Sequence, residues 1–201
     1  DVGTDYNYVG GICSFMEGTL EMTDCQNDAD INYTNTIVTN SDDKDKYKTR
    51  IGGLIGYAAS KSLAVTNCAN NGNLNLSTAL KYVGGCFGHV KAAVNFSNWT
   101  NIKNTGDITW PNTTSHVPYV GGVLGCSDGT GTTGIIKDWH NSGNIYAQAT
   151  RTSNRNLRTF IGGIAGLANV YTYSYCSNTG DVIAPYLRNT GDVSTWVGLL
   201  T

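Results

Sequence analysis

YVGGCFGH, Tyr82 to His89, sets a Gly-Gly dipeptide between apolar residues, and the same arrangement returns along the whole chain. It reads YVGGIC at Tyr8 to Cys13, RIGGLIGY at Arg50 to Tyr57, YVGGVLGC at Tyr119 to Cys126 and FIGGIAGL at Phe160 to Leu167; WVGLL at Trp196 begins a truncated sixth copy. First glycines at 10, 52, 84, 121, 162 and 198 give steps of 42, 32, 37, 41 and 36. One unit of roughly 37 residues is reused, which marks a repeat array rather than a conventional enzyme domain. The array runs over residues 1–201 as one domain, with copies starting near 8, 50, 82, 119, 160 and 195.

Composition agrees with a strand-and-turn chain. Only 14% of the 201 residues are charged, Glu occurs twice (Glu17 and Glu21), and there are 25 glycines and 12 tyrosines. Such a mixture starves helices and suits strands joined by turns. The formal net charge of -2 lacks the basic excess of a phosphate-tracking surface, so nucleic acid is not an expected partner. No run approaches the ~20 apolar residues of a membrane-spanning helix.

A second signature follows each Gly-Gly pair: DCQNDADI at Asp24, NCANNGNL at Asn67, NIKNTGDI at Asn101, DWHNSGNI at Asp138 and YCSNTGDV at Tyr175. An Asn followed two residues later by Gly predicts a tight corner with positive φ, leading into the next strand. Between the two signatures lie short half-buried strands such as SLAVTNC at Ser62, so each copy is expected to hold about three short strands. Three such strands bury an apolar face only by stacking copy on copy. The expected fold is all-β, a parallel β-solenoid of five full coils and part of a sixth. Stacking then aligns Asn27, Asn70, Asn104, Asn141 and Asn178 as an asparagine ladder, with Gly72, Gly106, Gly143 and Gly180 as turn glycines. The first corner has Ala29 in place of glycine, and irregular geometry is expected there. Segments 34–50, 77–81, 109–118 and 147–159 vary in length between the corner and the next Gly-Gly strand, which places insertions along one edge. That edge is either a recognition surface or a set of tolerated loops.

These motifs, apolar-Gly-Gly-apolar-x-Gly followed by a corner ending Asn-x-Gly-Asp-Val, resemble the GLUG-type repeats of bacterial surface proteins. The stretch from Gly163 to Val182 lies nearest the pattern; the first copy departs at Ser14, Phe15 and Ala29. The resemblance implies a secreted or cell-surface, adhesin-like chain with repeated β structure. It transfers no catalytic residue, because the motif is structural.

The residues that carry chemistry elsewhere do not gather in sequence. Cys25, Cys68 and Cys176 share one repeat position with Ile102 and Trp139, an inward apolar site; Cys13, Cys86 and Cys126 sit on or just past the Gly-Gly strand. Buried thiols and at least one disulfide both remain open. No C-x-x-C or Cys/His pair at ligand spacing points to a metal, and no cofactor is implied. His89, His116 and His140 fall at unrelated repeat positions. Asp107, Asp181 and Asp192 exchange with Asn73 and Asn144, which suggests turn hydrogen bonding rather than acid/base work. The run Ser41 to Lys46 reads as a solvated loop rather than a calcium site, its lysines opposing a divalent cation. Of five N-x-S/T sequons, those at Asn98 and Asn112 lie in loops and would be glycosylated in a eukaryotic source. Tyr8, Tyr82 and Tyr119 precede the Gly-Gly strand, with Arg50 and Phe160 in the other copies; such a column reads as an aromatic ladder before it reads as a sugar platform.

The leading expectation is a non-enzymatic, extracellular structural or adhesive segment, self-stacking through its coil ends into a fibre or a long surface protein. Its partners are then neighbouring coils or subunits, and cell-surface glycans or proteins. The alternative is a carbohydrate-binding module that uses the inter-repeat loops and aromatics, with a glycan-active β-helix enzyme behind it.

Overall fold

The computed structural model describes residues 7–34, 49–59, 62–77, 80–91, 94–112, 118–129, 131–149, 159–169, 172–184 and 195–198. Over these residues the chain is all-β, and every strand pairing is parallel. The strands form four sheets, and in each sheet the copies stand in sequence order.

Sheet 1 collects the strands that end on the first glycine of each pair: Tyr8–Gly10, Arg50–Gly52, Tyr82–Gly84, Tyr119–Gly121, Thr159–Gly162 and Thr195–Gly198. Sheet 2 begins just past the pair, with Cys13–Met16, Ile55–Ala58, Phe87–Val90, Leu124–Ser127 and Ala165–Ala168. Sheet 3 carries the longer strands, among them Ser62–Asn70, Trp99–Asn104 and Ile136–Asn141. Sheet 4 follows the corner, from Ile31–Tyr33 through Ile108–Asn112 to Val182–Ile183. Register is repeat on repeat, as in Tyr82 opposite Arg50 and Tyr119.

Four strands per copy replace the three expected. The glycine pair is the reason: it turns the chain inside what reads as one apolar strand, so sheets 1 and 2 are separate. They meet backbone to backbone, since a Cβ on Gly10 would stand 2.8 Å from both Gly56 N and Leu54 O. This contact parts the interior into two cores. Ile51, Val83 and Val120 of sheet 1 pack with Leu74, Ile108 and Ile145 of sheet 4. Ile55, Phe87 and Leu124 of sheet 2 pack with Val65, Ile102 and Trp139 of sheet 3.

Length also varies at a second place in the copies. Between sheets 2 and 3 the intervals are 17–18, 59–61, 91–98, 128–135 and 169–172. The two longest pair with each other: Phe96 N donates to Thr133 O at 3.0 Å, and Thr133 N to Val94 O at 2.9 Å. They seat Phe96, fully buried, edge-on against Trp99 and Trp139, with ring centroids 5.1 and 5.4 Å away.

The corner differs from expectation as well. Positive φ falls at Asp24, Asn67, Asn101, Asp138 and Tyr175, with values of 52–56°, three residues before each ladder asparagine. Gly72, Gly106, Gly143 and Gly180 are not in the left-handed region; they are glycine because the carbonyl of the preceding copy crowds the place a Cβ would take. Ala29 does not distort its corner: Asn27 Nδ2 donates to Ala29 O at 2.9 Å, as each later asparagine does to its glycine carbonyl.

Candidate functional site

Two side-chain arrays run from copy to copy, and a cleft lined by the first four copies opens between two columns.

The first array is the asparagine series. Asn27 Nδ2 donates to Asn70 Oδ1 at 2.8 Å, Asn70 to Asn104 at 2.9 Å, Asn104 to Asn141 at 2.8 Å and Asn141 to Asn178 at 2.7 Å. Every donor points toward the following copy, and the three central residues are fully buried. Each amide also holds its own corner carbonyl, so in Asn27, Asn70, Asn104 and Asn141 both N–H groups are used. The second array lies at the last polar position of the corner. Asp30, Asn73, Asp107 and Asn144 each accept through Oδ1 from the backbone N–H one copy on, at 2.7 to 2.9 Å. Only an acceptor oxygen is needed there, which is why Asp and Asn interchange; Asp192 lies outside the described residues.

The cleft forms where the glycine bend brings a column of sheet 1 beside a column of sheet 2. The sheet 1 column is Tyr8, Arg50, Tyr82, Tyr119 and Phe160; the sheet 2 column is Phe15, Tyr57, His89, Cys126 and Leu167. Tyr82 stacks on His89 with centroids 4.1 Å apart and planes 9° apart, and on Tyr119 at 5.6 Å. Tyr8 stacks on Tyr57 at 5.1 Å. Among these rings sits the Arg50 guanidinium, its Cζ 4.0 Å from the centre of the Tyr57 ring and 5.1 Å from that of Tyr8.

Arg50 and His89 are buried at 4% and 2% exposure, and a hydrogen-bond chain orders them. Arg50 Nε donates to His89 Nδ1 at 2.7 Å, and His89 Nε2 lies 2.8 Å from Asp128 Oδ1. Arginine has only donors, so Nδ1 must carry the lone pair and Nε2 the proton. His89 is therefore neutral. Burial lowers its pKa below the ordinary imidazole value, and the Arg50 charge acts the same way, against the pull of Asp128. The bond from His89 holds the Asp128 carboxyl below its usual range. Burial raises the Tyr57 and Tyr82 phenols and keeps them neutral. With Lys91 at the rim, these groups enclose about 250 Å³.

His89, Cys126 and Asp128 bring three potential ligand atoms within 4.8 Å of one another. The arrangement does not suit a divalent cation: Nε2 bears the proton, Nδ1 accepts from a cation, and Lys91 adds positive charge. Nor does Cys126 have a base, because both imidazole nitrogens are engaged. Burial pushes its thiol far up, so the thiolate is not available.

The remaining sequence-predicted residues lie elsewhere. Cys68 is buried, and Cys25 and Cys176 lie half-buried against the same core. All six thiols are free. His140 Nδ1 meets Ser177 Oγ at 2.8 Å, away from the cleft. Asn98 is exposed in a short 3₁₀ turn, Phe96–Asn98; the side chain of Asn112, and His116 and the run 41–46, lie outside the described residues. So does most of the insertion edge expected to carry recognition. The cleft residues were missed because they are adjacent only across copies. The signal was present: writing the repeats in register sets His89 between Tyr57 and Cys126, and Arg50 between two tyrosines.

The chain matches no protein-family model, no curated protein and no solved structure.

Proposed function

We propose that the four sheets wind as one parallel β-solenoid of five full coils and part of a sixth, and that the chain is a non-enzymatic, extracellular structural or adhesive segment of the kind GLUG-type repeats build. The asparagine array carries this reading: the same side-chain bond is rebuilt between each pair of neighbours among the first five copies, so the residues that recur there serve stacking rather than turnover. Stability of such an array is nearest-neighbour in origin. Beads coated with the chain and washed over matrix-protein and glycan surfaces test it. Retention above that of uncoated beads supports an adhesive segment; cleavage of any of the offered glycans overturns the non-enzymatic reading.

One observation favours a second reading, a saccharide-binding module. The cleft presents hydroxyls from Tyr57 and Tyr82, the half-exposed Asp128 carboxylate and the exposed Lys91 ammonium within a small volume. Hydroxyl-rich ligands need acceptors and donors interleaved in this way. Titration with a uronate oligosaccharide, followed by saturation-transfer NMR, decides the matter. Binding that weakens in Lys91→Gln supports the reading, and no contact at millimolar sugar retires it.

A further inference from the structure

Copies two to five hold glycine at three positions where a Cβ would meet a neighbouring copy, one facing forward and two facing back. On the second glycine of the pair it would point forward: Gly53 would meet the carbonyl of Gly85, and Gly85 that of Gly122. On the next glycine it would point back toward the preceding copy. Gly56 would come within 2.6 Å of Val9 O and 2.7 Å of Ser14 O; Gly88 would come within 2.6 Å of Gly56 O, and Gly166 within 2.6 Å of Gly125 O. The corner glycines point back too: Gly72 would strike the carbonyl of Ala29, Gly106 that of Gly72, Gly143 that of Gly106 and Gly180 that of Gly143.

Copies two to five keep glycine at both back-facing positions, 56, 88, 125 and 166 in one series and 72, 106, 143 and 180 in the other. The first copy keeps Gly10 and Gly11, whose demands come from its own strands and from the second copy. It abandons glycine only where a Cβ would point outward, at Ser14 and Ala29, and both are exposed.

We infer that the outer face of the first copy is an end cap, closed to a further coil of this repeat. An in-register neighbour would have to bring a corner carbonyl into the space of the Ala29 Cβ, and backbone oxygens into that of the Ser14 Cβ. A second copy of this chain is such a neighbour: its last full corner, at Gly180, would face Ala29. Open-ended filaments need a head-to-tail contact of this kind, and an unblocked strand edge invites one. The inference goes beyond the proposed function and limits it, because self-stacking through both coil ends is incompatible with a closed first face. It rests on the observed order of the copies, not on adhesion, so the two fail separately.

Two measurements test it. Ala29→Gly is expected to lower Tm by no more than about 2 °C, whereas Gly72→Ala lowers it by about 5 °C or more, or prevents folding. Equal, small shifts in the two variants would show that the preceding carbonyl does not exclude a Cβ, and would overturn the inference. For the second, the purified chain is concentrated and cross-linked, and the products are mapped by mass spectrometry. Absence of links from the first copy of one molecule to the last of another is expected; such links, or filaments with copies continuous across molecules, would overturn the cap.

Discussion

Gly85 leaves open the volume that the Asn104 side chain fills, for a Cβ on Gly85 would stand 2.6 Å from Asn104 Nδ2. The two signatures of the repeat are therefore one device. The glycine pair bends the chain, and its second member makes room for the amide that holds the corner and reaches the next copy. Asn104 accepts from Asn70 and donates to Gly106 O and Asn141 Oδ1. Asn104→Ala strands these buried partners and is expected to cost about 3 kcal/mol or more, since each unsatisfied group costs about 1–3 kcal/mol. Asn104→Asp should be worse near neutral pH, where a carboxylate would face two carbonyl-type oxygens. Burial there raises its folded pKa, so stability is lost as pH rises and returns on acidification. Urea melts from pH 4 to 8 check this; an Asp variant insensitive to pH would contradict the donor role.

The Arg50–His89 bond has a consequence for pH. His89 is neutral in the fold and its pKa lies below the ordinary imidazole value, about 6.5 in an unfolded chain. The unfolded chain then binds a proton that the folded one refuses. This contribution is complete above the unfolded value and declines as pH falls through it toward the folded value. Asp128, also lowered, adds a loss of the same sign at more acid pH. His89→Gln can still accept from Arg50 and donate to Asp128, and is expected to flatten the change in denaturation midpoint between pH 7.5 and pH 5.5. A slope unchanged by the substitution would place the titration elsewhere.

Repetition made part of this legible. A residue type that recurs at a fixed offset, as the asparagines do, reveals stacking without any structure, and Cys, Ile and Trp exchanging at one offset marks an inward face. The strand count was less visible, because Val83–Gly84–Gly85–Cys86 reads as one apolar run while the backbone turns within it. The cleft was hidden for the opposite reason. Arg50, His89, Lys91 and Asp128 each break the repeat, and their meeting depends on which copies adjoin, not on spacing along the chain. The corner glycines were found for the wrong reason: their role is close approach, and the left-handed residue is Asn67 or its equivalents.

Cysteine reactivity should follow burial. Burial raises the thiols of Cys86 and Cys126 strongly, and those of Cys68 and Cys176 as well. Cys68, Cys86 and Cys126 are buried; Cys13, Cys25 and Cys176 are half-buried. Under native conditions at pH 8, iodoacetamide is expected to label the half-buried set first, with the other three reacting only in denaturant. Peptide mapping reads the order. Early labelling of Cys86 would show that the core between sheets 2 and 3 opens, and a mass lower by two hydrogen atoms would reveal a disulfide where the structure has free thiols.

Phe96 gives a test of the second variable connection. It comes from an insertion absent in the first two copies, yet it is fully buried and packs edge-on against Trp99 and Trp139; the Trp139 indole in turn donates from Nε1 to the backbone carbonyl of Trp99 at 3.0 Å. The insertion is then part of the core, not a tolerated loop. Phe96→Ala removes a large buried ring between strands that cannot close up without breaking sheet register, so the cost should lie near 3–5 kcal/mol. The same substitution opens both indoles to solvent, and their fluorescence should shift to longer wavelength before global unfolding. Full stability with unchanged emission would mean that residues 91–98 are dispensable to the core.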